Sequence, residues 1–282
     1  MMDKTAFSRT AANMAYTYRE PEGVGIFTID GLSALSCIDH GFSARSGGVS
    51  TGAYESMNLS FTRLAERDNV TENYRRFCHA AGIPVESMVL DHYEHGTTVL
   101  RVDRADQGKG YTLPPLPHCD GLVTDDPAVT LFTGHADCMA FYAVDPERRC
   151  IGLAHAGWRG ALGRIGKNLV EMLVQEYGAD PARIVTGVGP SICPACFEVG
   201  REVVELFEAG FPGEDLYTVH PVSGKTHIDL WRVAELQFLE AGILPEHIHL
   251  AGVCTVEDDR LFSYRGYHGP TGGMAAFLRL KG

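Results

Sequence analysis

A mixed α/β fold is what the sequence predicts, on three observations. Two short apolar segments, residues 139–144 and 150–154, flank the turn-forming Asp145-Pro146-Glu147-Arg148 and read as a β-hairpin. Residues 69–81, 161–177 and 229–241 have helical apolar spacing, and each runs into a glycine, Gly82, Gly178 or Gly242. Glycine takes the left-handed conformation that stops a helix without strain. Residues 87–90, 97–102, 184–188, 249–254 and 272–280 are apolar enough for buried strands. Strands and helices thus alternate along the chain, the pattern of an α/β protein.

The hairpin carries the first chemical signal. Closing it sets Cys138, just before the first strand, beside His155, just after the second. A thiolate and an imidazole so placed serve either as metal ligands or as nucleophile and base. Helix 161–177 follows the Gly157-Trp158-Arg159-Gly160 turn, so both side chains are expected at one end of a rigid strand–helix unit.

Taken in order, residues 18–37 alternate loosely and read as edge strands. Residues 38–52 form a Gly- and Ser-rich stretch in which Arg45 and backbone N–H groups could surround an anion; an ordinary turn cluster reads the same way. Tyr54, Ser56 and Asn58 continue it with groups able to meet a sugar or base. Helix 69–81 is scaffold. In Asp91-His92-Tyr93-Glu94-His95-Gly96, His95 is the better candidate for a third ligand and His92 is expected to point elsewhere. Asp120-Gly121 reads as a tight turn, and Cys119 as packing. Cys193-Pro194-Ala195-Cys196 has metal-ligand spacing but no second pair, so two buried thiols are expected there. Helices at 199–210 and 229–241, the second capped by Asp229, precede the last strands.

Composition limits the partners. The 282 residues can bury a large core, and no linker-like run divides them, so one domain over residues 1–282 is expected. With 24 basic and 36 acidic residues the net charge is −12, which disfavours nucleic acid and anionic membrane as partners. The first twenty residues lack a secretory apolar core and no later segment reads as a membrane span, so a cytoplasmic location is expected. Eight cysteines dispersed among apolar residues fit free thiols in a reducing compartment.

The motifs HGFSARSGGVSTGAY, EHG, CDGLVT, ADC, AHAGWRG, VGPSI with FEVG, and FSYR, in this order, resemble the YfiH-type laccase-domain family. Its members are described as multicopper polyphenol oxidases and as purine nucleoside phosphorylases with accompanying adenosine deaminase activity. The resemblance implies a four-layer α/β/β/α sandwich with mixed sheets. It also implies a zinc ion, with copper as the alternative, held by His95 of EHG, Cys138 of ADC and His155 of AHAGWRG. Two imidazoles and a thiolate leave a coordination position open, as a catalytic metal requires. The expected enzyme is a monomer acting on purine nucleosides and inorganic phosphate, with Arg45 holding phosphate, Asn58 contacting sugar or base, and Asp137 or His40 moving the proton. A metal-free Cys138–His155 hydrolase and a copper-dependent phenol oxidase are the alternatives. The chain departs from the family at Tyr93-Glu94, where Gln and an apolar residue are usual, at His135 for Thr, at Ala140 for Pro, and at Gly266-Tyr267 and Gly272-Gly273. A Gly-Arg is usual near the C-terminus, so weakened phosphate binding is expected. By strand periodicity His135 is expected to face away from Cys138.

Overall fold

The computed structural model describes residues 13–62 and 66–282; the first twelve residues, read above for their lack of a secretory core, lie outside them. Two mixed sheets stack face to face. The first has the order β1 (Asn13–Met14), β15 (Ile248–Leu250), β11 (Val185–Val188), β9 (Met139–Asp145), β10 (Cys150–Ala156), β7 (Gly121–Thr124) and β6 (Val99–Arg101). The second runs β2 (Tyr16–Arg19), β3 (Ile26–Ile29), β4 (Ile38–Ser43), β16 (Met274–Leu280), β8 (Thr130–His135) and β5 (Met88–Leu90). A three-stranded sheet, β12 (Glu198–Val199), β14 (Thr226–Ile228) and β13 (Tyr217–Val219), stands apart.

Alternation along the strands builds the layers. In β9, Met139, Phe141 and Ala143 join an outer core, whereas Ala140, Tyr142 and Val144 face the second sheet. The outer core is covered by helices α4 (Ile165–Tyr177) and α6 (Leu230–Glu240), through Leu169, Leu173, Val233 and Phe238. On the far side, helix α2 (Arg67–Ala81) lays Val70, Tyr74 and Phe77 against Phe132 and Phe277 of the second sheet. The result is the four-layer α/β/β/α order. Tyr142 lies between the sheets, where its hydroxyl donates to the Gly41 carbonyl at 2.9 Å. That bond satisfies the one polar atom of a fully buried ring and ties β9 to β4.

Several expected elements are redrawn. The hairpin forms with His155 opposite Ala140. The helix expected over 161–177 is instead two: α3 (Trp158–Leu162) starts earlier, and Arg164 in a left-handed conformation (φ 71°) breaks the chain before α4. Residues 38–43 are strand β4 rather than loop. Residues 30–33 are a helical turn, α1 (Asp30–Ser33), rather than strand, and β15 is confined to three residues. Helix α5 (Arg201–Gly210) and the Asp229 cap of α6, which accepts the Arg232 N–H, stand as expected. Among the described residues no helix is long and apolar enough to cross a membrane.

His40, expected as a proton carrier, is instead part of the β3–β4 packing. Its Nε2 accepts the Ile29 N–H at 2.9 Å, and its ring stands edge-on to Tyr142. Burial pushes its pKa down to about 4. A histidine whose folded pKa lies below its unfolded value of about 6.5 contributes stability above that value and loses it as pH falls through the window down to the folded one. Acid should therefore cost the fold up to about 3 kcal/mol at this residue. His40→Gln, whose Oε1 can accept the same N–H, is expected to flatten the fall of thermal midpoint between those pH values; an unchanged slope would locate the acid sensitivity elsewhere.

Candidate metal centre

Both connections that supply ligands cross from the second sheet to the first at the same end of the sandwich. Residues 91–98 join β5 to β6, and residues 136–138 join β8 to β9. His95 and Asp137 sit in these crossings with φ of 65° and 80°. Left-handed backbone costs an ordinary L-residue roughly 1–2 kcal/mol, so the surroundings must hold both turns.

His95, Cys138 and His155 converge. Their ligand atoms all lie within 4.8 Å of one another, and the two rings meet edge to face with centroids 4.8 Å apart. His155 is buried at the end of β10, on the side facing the second sheet. Its Nδ1 lies 3.1 Å from Asp120 Oδ1. A carboxylate only accepts, so Nδ1 carries the proton and Nε2 keeps its lone pair toward the centre. Burial lowers the His155 pKa against the opposing effect of Asp120, which keeps the ring in the neutral, ligating form.

Asp120 is the residue that sequence reasoning missed. Instead of a tight turn it is a fully buried anchor at the start of β7. Oδ1 also accepts the His95 N–H at 2.8 Å, and Oδ2 accepts Gly96 N–H at 2.8 Å and Glu94 N–H at 3.3 Å. Burial opposes its ionisation, but the bonds from His155, Gly96 and Glu94 together outweigh it and hold the carboxyl below its usual range. One carboxylate thus sets the backbone of one ligand and the ring of another.

The glycines of AHAGWRG follow from close approach. A Cβ on Gly157 would stand 2.8 Å from His95 Cδ2 and 3.4 Å from Cys138 Sγ, and one on Gly160 would stand 2.7 Å from the Gly96 carbonyl oxygen. Tyr93 packs beside the two ligands, its ring tilted against His155 with centroids 4.5 Å apart and edge-on to His95 at 5.5 Å.

His135 does not face away. β8 and β10 belong to facing sheets, so residues of both can point into the space between them, and the His135 and His155 rings lie 5.5 Å apart. It is still engaged elsewhere: Nδ1 donates to the Cys138 carbonyl at 3.2 Å and Nε2 accepts from Thr133 Oγ1 at 2.7 Å. His92 does point away, bonded to the Leu116 carbonyl and stacked on His118.

Asp137 is tied down rather than poised to carry a proton. Its Oδ1 accepts Thr255 Oγ1 at 2.6 Å and Ser263 Oγ at 2.7 Å, and Oδ2 accepts the Arg265 N–H at 2.7 Å. These bonds dock helix α7 (Tyr264–Tyr267) beside the centre. Arg45 lies behind that helix and does not line the cavity at the centre: its guanidinium donates to the Glu55 carbonyl and to Tyr267 Oη and covers Phe262. Asn58 is wholly buried, its Oδ1 accepting the N–H groups of Ser60 and Gly273. Neither lines the cavity: the Arg45 guanidinium is engaged by Glu55 and Tyr267, and the Asn58 amide oxygen by Ser60 and Gly273.

The centre opens on a cavity of about 450 Å³, walled by Trp158, Phe197, Tyr264, Ile192 and the guanidinium-bearing Arg159 and Arg265. Arg159 lies over the Trp158 ring at 4.1 Å. Arg265 is steadied by the Glu198 carbonyl at 2.8 Å and by Phe197. AHAGWRG and FSYR contain both, so their motifs were visible although their role was not.

The profile of a family described as multi-copper polyphenol oxidoreductase laccase matches residues 39–281. The chain belongs to this family. It is 34% identical over 242 residues to the purine nucleoside phosphorylase YlmD of Geobacillus stearothermophilus, spanning 84% of this chain and 88% of that one. The crystal structure of YlmD from that organism superposes with a TM-score of 0.87 at 30% identity, covering 95% of this chain and all of the other. A purine nucleoside phosphorylase of Deinococcus radiodurans is 37% identical over 243 residues, 86% of this chain and 89% of that protein. The adenosine deaminase RL5, from an unknown prokaryotic organism, is 34% identical over 188 residues, 65% of this chain and 71% of its own length.

The donor set fits a metal. Burial, helped by Asp137 and Asp120, pushes the Cys138 thiol up to about 12, so a bound cation is what would hold it as thiolate. A carboxylate–histidine pair such as Asp120–His155 is the usual outer support of a catalytic zinc ligand. Among the described residues this is the single candidate group containing histidine.

Proposed function

We propose that the chain is a metal-dependent purine nucleoside phosphorylase, acting on adenosine, inosine and guanosine, with adenosine deamination in the same cavity. The convergence of His95, Cys138 and His155 on a cavity that also presents aromatic faces and two arginines carries this reading. When bound by these three residues, a zinc ion supplies Lewis-acid polarisation of a substrate oxygen or nitrogen.

The remaining work falls to the chain. Trp158, Phe197 and Tyr264 offer flat apolar surface to a purine, and the cavity is within the range that small ligands occupy. Arg159 and Arg265 replace Arg45 as the groups that hold phosphate, through paired N–H donors matched to its oxygens. In phosphorolysis a phosphate oxygen bonds to the anomeric carbon while the bond from that carbon to the purine nitrogen breaks, its electron pair leaving with the base. Orienting phosphate on the ribose face is what the arginines contribute. A water at the same end of the cavity would serve deamination.

Copper chemistry on phenols draws less support, because a multicopper reaction calls for several centres and one N/S group is present among the described residues. A metal-free Cys138–His155 hydrolase calls for a stabilised thiolate, and burial beside two carboxylates works against it.

Cys138→Ala is expected to lower phosphate-dependent release of hypoxanthine from inosine by at least about 100-fold, since even outer supports of a metal are worth 10–100-fold. Chromatography should find ribose 1-phosphate as the second product of the parent enzyme. Undiminished turnover in the variant, or equal release without phosphate, would refute the reading.

A further inference from the structure

Cys193 and Cys196 are joined by a third thiol that spacing alone does not reveal. Ser191 pairs with Cys254 in a short parallel bridge: Ser191 N–H donates to the Val253 carbonyl at 3.1 Å and Thr255 N–H to the Ser191 carbonyl at 3.2 Å. This sets Cys254 against the Cys-Pro-Ala-Cys turn, and the sulfurs of Cys193, Cys196 and Cys254 all lie within 4.8 Å of one another. The Cys193 N–H points at Cys254 Sγ, at 3.4 Å.

We propose that these three cysteines form a second cation site, a thiolate clamp for a thiophilic ion such as zinc, independent of the His95–Cys138–His155 centre. Zinc–sulfur bonds of about 2.3 Å at tetrahedral angles place sulfurs about 3.8 Å apart, whereas a disulfide needs them at about 2.05 Å. A trio whose sulfurs all lie within 4.8 Å of one another accommodates the first, and all eight cysteines are free. A C-x-x-C turn supplying two ligands with a distant residue supplying the third is a familiar metal-site layout, and an N–H donated to a ligating sulfur is the kind of outer bond that tunes such sites. A groove lined by Tyr16, Gly252, Cys254 and Glu257 gives the ion a way in.

The clamp would act on the cavity wall. Ile192 and Phe197, on either side of the turn, line the cavity, and Thr255, next to Cys254, donates to Asp137. An ion at the three sulfurs joins these two loops and holds in place the surface offered to the base.

The test is metal content after reconstitution with Zn2+ under reducing conditions and removal of free ion. The parent chain is expected to retain two equivalents. Cys138→Ala should keep the one at the clamp, and its Co2+ derivative should show strong thiolate-to-cobalt charge-transfer absorption. Cys254→Ser and Cys196→Ser should each lose one equivalent while keeping the other, and zinc should raise their thermal midpoint less than the parent's. Two variants guard against one that fails to fold. A parent chain that binds a single equivalent, lost in Cys138→Ala, would overturn the proposal, as would a mass before reduction two hydrogens lower than after it, with peptide mapping placing the disulfide within the trio.

Discussion

An Asp120→Asn variant is expected to bind zinc about 10–100-fold more weakly than the parent and to lose about 2–4 kcal/mol of stability. The carboxylate receives four hydrogens, from His155 Nδ1 and from the N–H groups of Glu94, His95 and Gly96. Asn has the same shape but a single acceptor oxygen. Whichever way its amide turns, an NH2 group faces donors at one of the two positions. If it faces Oδ1's partners, His155 loses the bond that keeps its proton on Nδ1, and the lone pair at Nε2 is no longer assured. If it faces Oδ2's partners, the 94–96 turn relaxes and His95, held at a left-handed φ, is free to swing away. Chelator competition checks the affinity, and urea denaturation of the metal-free protein checks the fold. Affinity within twofold of the parent would mean that Asp120 does not orient the ligands.

The second large effect is expected at Asp137, where replacement by Ala should cost about 3–5 kcal/mol. Two hydroxyls and a backbone N–H, all buried or half-buried, lose an ionised acceptor, and bonds to charged groups are worth about 1.5–3 kcal/mol each with incomplete additivity. Alanine is also less tolerant than aspartate of a φ of 80°. Because the lost bonds dock α7, Arg265 should drift from the cavity and the KM for phosphate should rise more than kcat falls. Asp137→Asn keeps the backbone preference and one acceptor, so its loss should be smaller. Denaturation midpoints and phosphate saturation curves test both; a loss under about 1 kcal/mol for Ala would show that α7 is held by other contacts.

The parts that were legible in the sequence are those governed by local rules. The 139–156 hairpin, the glycine stops after α2 and α4 and the Asp229 cap each depend on residues a few positions apart. Cys138 and His155 could be paired because a hairpin equates sequence symmetry with proximity. What was illegible depends on contacts across the two sheets. Asp120 looks like half of an Asp-Gly turn because its partners lie 24–35 residues away. His135 breaks the strand-parity rule because that rule speaks of one sheet, while the centre is built from two that face each other. Cys254 is a lone cysteine until the Ser191 bridge brings it beside a pair. Arg45, Asn58 and His40 were polar residues in a Gly-rich region, and nothing local distinguished a packing role from a binding one. The break at Arg164 has no signal in apolar spacing, which runs on across it.

X-ray absorption at the zinc edge of a Cys193→Ser, Cys254→Ser double variant tests the centre most directly, since the clamp no longer contributes. The expected shell is one sulfur at about 2.3 Å with nitrogen and oxygen neighbours at about 2.0–2.2 Å, changing when His155 is replaced by Ala and accompanied by phosphate-dependent cleavage of inosine. A shell without sulfur, or a zinc-free protein that cleaves inosine at the parent rate, would contradict the account.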